Sequence, residues 1–227
     1  MSFDTARRIG ADRLNEVLVF LNHIQTLEPS GGFTPAIEVK VMKGLFMVQL
    51  YGALEKTLSE AVQVLLREIS SLKPVNVDVA LPFNVVSMST KWKSVKDAGY
   101  KDVFPRMSDF FRSIESGQFH GIEESLFADY LQNIWAKTIE DIVGALGMTN
   151  YVLSTSDRAL LNELVDKRNA VAHGRESAAV IGERYQCADL RKKLNDIQFL
   201  INGFVDALDQ YLKNRDFIQP TKRAHYP

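Results

Sequence analysis

The stretch LVDKRNAVAHGRES, residues 164–177, holds Arg168, Asn169 and His173 within six positions. A guanidinium is a permanent planar cation whose fork matches phosphate oxygens. An imidazole can take or give a proton near neutral pH, as a phosphodiester cleavage requires. Asn169 and His173 are four apart, so on a helix their side chains can touch. Lys167 and Arg175 add positive charge beside them. The same segment also fits a plainer role. Basic residues in a last turn followed by Gly174 form an ordinary helix C-terminus, which accounts for Lys167, His173, Gly174 and Arg175.

Arg168 fits that plainer role poorly. On a helix over 158–173, at about 100° per residue, Leu160, Leu161, Leu164, Val165, Val171 and Ala172 share one arc. Arg168 falls inside that arc, while Asn162, Asp166, Asn169 and His173 form the neighbouring polar stripe. Desolvating a guanidinium costs several kcal/mol unless it is paired, so a carboxylate, a subunit interface or an anionic ligand must meet it. Glu55, on the flank of an earlier apolar stripe, is one candidate. Arg168 and His173 lie roughly 140° apart on one ideal helix. They converge only if the helix ends early or a second copy of the segment faces the first.

The elements that position these residues read as helices throughout. Residues 4–28 carry Leu14, Val17, Leu21 and Ile24 on one face, and EPSGGFTP ends that segment, with SGGF as a turn. A longer helix over about 36–72 carries Met47, Tyr51, Leu54, Leu58, Ala61, Leu65 and Leu72. Two prolines in KPVNVDVALPFN break it. The only period-two stretch, VNVDVAL, is short. VVSMSTKWKSVKDAGY and FPRMSDFFRSIE read as short helices, the second with Pro105 in its first turn. SGQFHGIEE is a loop. A helix is expected from Phe127 through Leu131, Ile134, Trp135, Thr138 and Ile142 to Leu146, closed by Gly147. Ser154 and Asp157 resemble a capping box for the helix that ends at His173. The last helix steps Leu190, Leu194, Ile197, Ile201, Phe204, Leu208 and Tyr211, a seam for neighbours in this chain or in a partner. The expected fold is all-α: an antiparallel helical bundle of four to five main helices with additional short ones, in one domain over 1–227.

Composition narrows the function classes. Lys and Arg total 27 and Asp and Glu total 28, a net charge of −1, so the chain is no general coat for nucleic acid. A local contact with RNA remains open. Cys187 is the single cysteine, which excludes an internal disulfide and a cysteine zinc cluster within one chain. His23 and His120 have no ligand partner at usable spacing, and no glycine-rich phosphate loop is present, so no metal or cofactor is expected. Neither a signal peptide nor a membrane span is apparent in the sequence, and a cytoplasmic protein is expected.

RNAVAH resembles the R-x4–6-H signature of HEPN domains, with a polar residue directly after the arginine. RN…AHG at a helix end is most similar to the prokaryotic RiboL-PSP-type and MAE-like groups. YGALEKTL, in the long second helix, is similar to the early helix of those groups, where a glutamate follows a small-residue turn. The resemblance covers about 36–213, with 75–125 as an elaboration and 216–227 as a flexible tail. It implies a dimeric, metal-independent endoribonuclease of the toxin or anti-phage kind, leaving 2′,3′-cyclic phosphate and 5′-hydroxyl ends. Arg168, Asn169 and His173 would be its motif residues, Glu55 a supporting one, RNA its substrate, and an antitoxin or defence protein a further partner. Dimers of the family bring two motifs into one cleft.

Other readings stand beside this one: a non-catalytic module binding RNA, nucleotide or protein, and a helical adaptor using the 190–211 seam. Lys91, Trp92 and Lys93, with Lys96, Tyr100 and Lys101, could bind RNA by charge and stacking. A solvated helix face with one buried Trp is the simpler expectation for that segment.

Overall fold

The computed structural model describes residues 3–29 and 34–226. The SGGF turn, residues 30–33, lies outside them. Nine α-helices are present among the described residues: α1 (Asp4–Leu27), α2 (Ile37–Ser71), α3 (Asn84–Ser87), α4 (Ser89–Lys96), α5 (Val103–Ile114), α6 (Ala136–Leu146), α7 (Thr155–Ala172), α8 (Ala178–Gly182) and α9 (Cys187–Lys213). They contain no strand. The period-two segment forms 3-10 turns, and Val79 makes a single antiparallel bridge to Ile218.

Four long helices make the bundle, and cross-contacts fix their directions. Gly10 of α1 meets Thr57 of α2, whereas Glu28 just after α1 meets Lys43, so α1 and α2 are antiparallel. Arg7 pairs with Asp206 and Asp209 while Arg191 bonds Asn22 and Gln25, so α1 and α9 are antiparallel too. The third such pair is α7 and α9, where Asn150 just before α7 bonds Ala207 and Glu163 pairs with Lys193. The 190–211 seam is spent inside this bundle, since every one of its seven apolar residues is buried.

Two close crossings hold α2 in place. A Cβ on Gly44 would lie 2.0 Å from the Ala178 carbonyl oxygen, and one on Gly182 would lie 1.8 Å from that of Lys40. Backbone cannot retreat as a flexible side chain can, so α8 is clamped against α2 at a separation only glycine permits. The segment that follows His173 is thereby fixed to the long helix.

Several expectations are corrected. The helix foreseen from Phe127 begins at Ala136. Phe127, Leu131 and Ile134 are buried, but they lie in turns and a 3-10 turn over Tyr130–Gln132. The Tyr51 hydroxyl explains the break, because it donates to the Gln132 carbonyl at 3.1 Å and accepts from the Ile134 N–H at 3.0 Å. Those two groups are thus engaged outside any helix. The Asn162 side chain then accepts the Ala136 N–H at 3.1 Å and starts α6. Trp92, expected buried, is mostly exposed. The chain beyond 216, expected as a flexible tail, is anchored instead. Phe217 and Ile218 are fully buried, Gln219 N–H bonds the Asp78 carbonyl, and the Tyr226 hydroxyl reaches Val75 N–H and Asp78. Apolar burial and paired backbone groups outweigh the polar composition of TKRAHYP.

Candidate functional site

The helix carrying Arg168 starts as foreseen. Ser154 Oγ accepts the Asp157 N–H at 3.1 Å and Asp157 Oδ2 accepts the Ser154 N–H at 3.0 Å, a reciprocal capping box. Leu161, Leu164 and Val165 are buried, Leu160 and Val171 partly so, and Ala172 is exposed. The helix ends where glycine allows it. Gly174 adopts φ +68°, and the Glu176 N–H then reaches back to the Ala170 carbonyl at 3.1 Å.

Arg168 does point inward. Its side chain is 16% exposed and Nη2 lies 3.2 Å from Glu55 Oε2, the partner the sequence suggested. Nη2 also donates to the Gln132 carbonyl at 3.0 Å, and Nη1 to Asn169 Oδ1 at 2.8 Å. The guanidinium carbon stands 3.8 Å above the centroid of the Tyr51 ring. A cation–π contact of this kind contributes on the order of 1 kcal/mol and holds the guanidinium over the ring. Arg168 Nε is buried with no hydrogen-bond partner. Tyr51 therefore does two things: its ring supports Arg168, and its hydroxyl fixes the turn whose carbonyl Arg168 also binds. Burial, the largest influence on it, pushes the phenol above its ordinary pKa, so it remains a neutral donor.

His173 is placed differently. It is the C-cap of α7 and exposed, with its N–H on the Asn169 carbonyl at 3.0 Å. The Asn169 side chain turns to Arg168 rather than to His173. One chain thus brings Arg168, Asn169, Glu55 and Tyr51 together and leaves His173 outside that cluster. Arg175 and Lys167 both bond Asp166, at 2.5 Å and 3.0 Å, and Asp166 is held below the usual carboxylate range, first by Lys167 and then by Arg175. Their charge is partly neutralised on the surface.

The second basic segment is not joined to this cluster. Lys91, Trp92 and Lys93 lie on α4, whose main neighbour is α5. Lys91 pairs with Asp109 at 2.6 Å, Trp92 packs at 5.8 Å on Phe110, and Lys93 is exposed. Tyr51 and the Gln132 carbonyl are the cluster members the sequence reading missed. A signal for Tyr51 existed: it sits four residues before Glu55 on the same helix, and a buried Tyr hydroxyl needs a partner. Nothing local marks a carbonyl 36 residues before Arg168.

No helix of the described residues is long and apolar enough to cross a membrane. No curated protein and no solved structure matches the chain. The family model described as RiboL-PSP-HEPN matches residues 10–214. That span takes in most of α1, which the resemblance over 36–213 left out, and it encloses 75–125. With an all-α bundle in place and the match covering most of its length, the chain belongs to the RiboL-PSP-HEPN family of helical domains.

Proposed function

We propose that this protein is a metal-independent endoribonuclease whose site is completed by a second copy of the chain. The observation that carries this is the placement of Arg168: a cation in the last turns of α7, held over the Tyr51 ring and oriented by Glu55, Gln132 and Asn169, in a member of the HEPN family. Preorganised cations of this kind stabilise charge that develops on a phosphate in the transition state. In the reaction the ribose 2′-oxygen forms a bond to phosphorus while the bond from phosphorus to the 5′-oxygen breaks. The 2′-hydroxyl loses a proton and the leaving oxygen gains one. His173, exposed and free to approach a substrate, handles one of these protons. The products are a 2′,3′-cyclic phosphate and a 5′-hydroxyl. Because Arg168 faces the cluster and His173 does not, the pair that acts on one phosphate comes from two protomers. A role in toxin–antitoxin or anti-phage systems, with a masking protein partner, belongs to the same proposal.

The test is RNA cleavage by purified protein in EDTA. Arg168→Ala and His173→Ala each abolish cleavage while the circular dichroism of the fold persists. Mixing the two inactive variants restores part of the activity, since one of the two sites in a mixed dimer keeps both groups. Cleavage equal in wild type and both variants would sink the assignment.

A second reading rests on the intrachain partners of Arg168. Glu55, Gln132 and Asn169 occupy three of its N–H groups, which suits a structural tether in a binding module. Tight RNA binding by wild type with no cleavage products across varied substrates selects it.

A further inference from the structure

A groove of about 750 Å³ opens between α4 and the segment that leads into α6. Its floor is apolar, with Val85, Leu126, Phe127 and Ile142. Two rings stand at it uncovered: Trp92 of α4 is 56% exposed and Tyr130 is 58% exposed. Lys93 and Lys96 line the α4 wall and are exposed. Neither meets a carboxylate among the described residues, whereas Lys91 of the same helix pairs with Asp109. Asp97, Glu123, Asp129 and Asp141 line the groove as well. Asp141 is balanced by Lys137, Asp129 accepts from Gln132 Nε2 at 3.4 Å, and Glu123 accepts from Ser125 Oγ at 3.0 Å.

Each part narrows the ligand. Uncovered rings beside an apolar floor offer a face to a planar group. Lysines without a carboxylate attract an anion, and carboxylates accept from hydroxyl or amino groups. Carboxylates outnumber lysines here, so a bare polyanion is disfavoured, and an aliphatic chain would leave six charged side chains unanswered. A ligand that carries a plane, hydroxyl or amino donors and one anion at separate places answers all three. We propose that the groove takes one unpaired base of a single-stranded RNA, outside the Arg168 site; the choice of RNA over a free nucleotide rests on the nuclease reading above. The base stacks on Trp92 or Tyr130, its phosphate meets Lys93 and Lys96, and its ribose hydroxyls or amino group meet Glu123 or Asp129. Position supports a base within a strand. The α4 wall does not reach the Arg168 cluster, but the other wall does. Tyr130 opens the 3-10 turn Tyr130–Gln132, and the Gln132 carbonyl receives Arg168 Nη2 at 3.0 Å. A strand whose phosphate lies at Arg168 therefore passes the groove a short way along. Residues 75–125, which supply α4, would in this way select a base flanking the cleaved bond.

Fluorescence anisotropy of a labelled RNA oligonucleotide tests this, with the full chain carrying His173→Ala so that binding is read without cleavage. Trp92→Ala and Tyr130→Ala should each weaken binding about tenfold, the loss of one stacked base. Lys93→Glu combined with Lys96→Glu should weaken it too and flatten its salt dependence. Both lysines are exposed, so this pair stays informative if a ring variant misfolds. Phe111→Ala, an exposed ring on α5, should change nothing. In the protein with His173 intact, the same groove variants should raise KM for the oligonucleotide, leave kcat, and leave cleavage of a dinucleotide as it was. Oligonucleotide affinity untouched by the ring and lysine variants overturns the proposal. A mononucleotide that displaces the oligonucleotide from the groove at equal affinity assigns the groove to a free nucleotide and overturns the RNA assignment. If wild type cleaves nothing while these losses of binding persist, the nuclease reading fails and the groove stands. Cleavage by wild type with KM unmoved in the groove variants has the opposite meaning.

Discussion

Two of the cations drawn out of water in this bundle, Lys43 and Arg168, meet α2 on different sides and make an instructive pair. Lys43 is the more buried, its side chain 3% exposed, and it meets the Glu28 carboxylate and the Tyr185 carbonyl. Arg168 keeps 16% of its side chain in contact with solvent and meets Glu55, which is 37% exposed. The Lys43 site knots the end of α1 and the start of α9 onto α2, and Glu28 also accepts the first N–H of α9 from Cys187 at 3.4 Å. There an ammonium among oxygen atoms ties three helices together, although Lys43 and Glu28 also line a cavity of about 560 Å³. At Arg168 a planar fork is supported on an aromatic face, and its carboxylate still opens to water. Burial of a cation therefore does not by itself mark a site. What separates the two is the cation and its support: an ammonium held by a carboxylate and a carbonyl at Lys43, a guanidinium over an aromatic ring at Arg168.

The comparison can be broken by substitution. The largest effect expected is on cleavage: Arg168→Ala should lower the rate about 100-fold or more, whereas Glu28→Ala should leave the rate per folded molecule unchanged. Equal losses in single-turnover assays would erase the distinction between the two sites. On stability the order reverses. Glu28→Ala leaves an ammonium buried with one carbonyl and should cost about 3 kcal/mol. Arg168→Ala leaves the partly exposed Glu55 to water and should cost about 1–2 kcal/mol. Urea unfolding midpoints measure both.

Gly44→Ala comes next, at about 2–3 kcal/mol, because the new methyl meets backbone of α8 that cannot move aside. A midpoint within error of wild type would show that the α2–α8 clamp yields. Tyr51→Phe should cost about 1 kcal/mol through the unpaired Gln132 and Ile134 groups, while Arg168 keeps its ring. A crystal structure of that variant should show a displaced Gln132–Trp135 turn above an unmoved guanidinium.

Acid should act on the Lys43 side through Glu28. Burial favours the neutral form of Glu28, but the bonds from Cys187 and Lys43 outweigh it and hold the carboxyl below its ordinary value. A depressed folded pKa stabilises the fold above the unfolded value and ceases to do so as pH falls through the folded one. The contribution of Glu28 is thus complete at neutral pH and declines below about pH 4.5. The pH dependence of the unfolding midpoint should flatten there in Glu28→Ala.

Much of this was legible in the chain. Period 3.6 located α1, α2, α7 and α9 to within a few residues, and Ser154 with Asp157 located the start of α7. The helical wheel put Arg168 inside and proposed Glu55. The same reasoning would have found Lys43, which precedes Met47 of the α2 stripe by four residues. Where apolar periodicity misled, a long-range contact was responsible. Phe127, Leu131 and Ile134 bury their side chains without forming a helix, since Tyr51, some 80 residues earlier, holds the backbone between them.

The sequence by itself determined the helical class, the long elements and the inward arginine, because each follows from side-chain types at local spacing. Only the tertiary structure decided what Arg168 touches, that Asn169 serves it rather than His173, that the end of the chain is anchored, and that Trp92 stays exposed. Those outcomes depend on which distant groups arrive first at a polar atom or an apolar surface, and one-dimensional spacing does not encode arrival from outside its own helix.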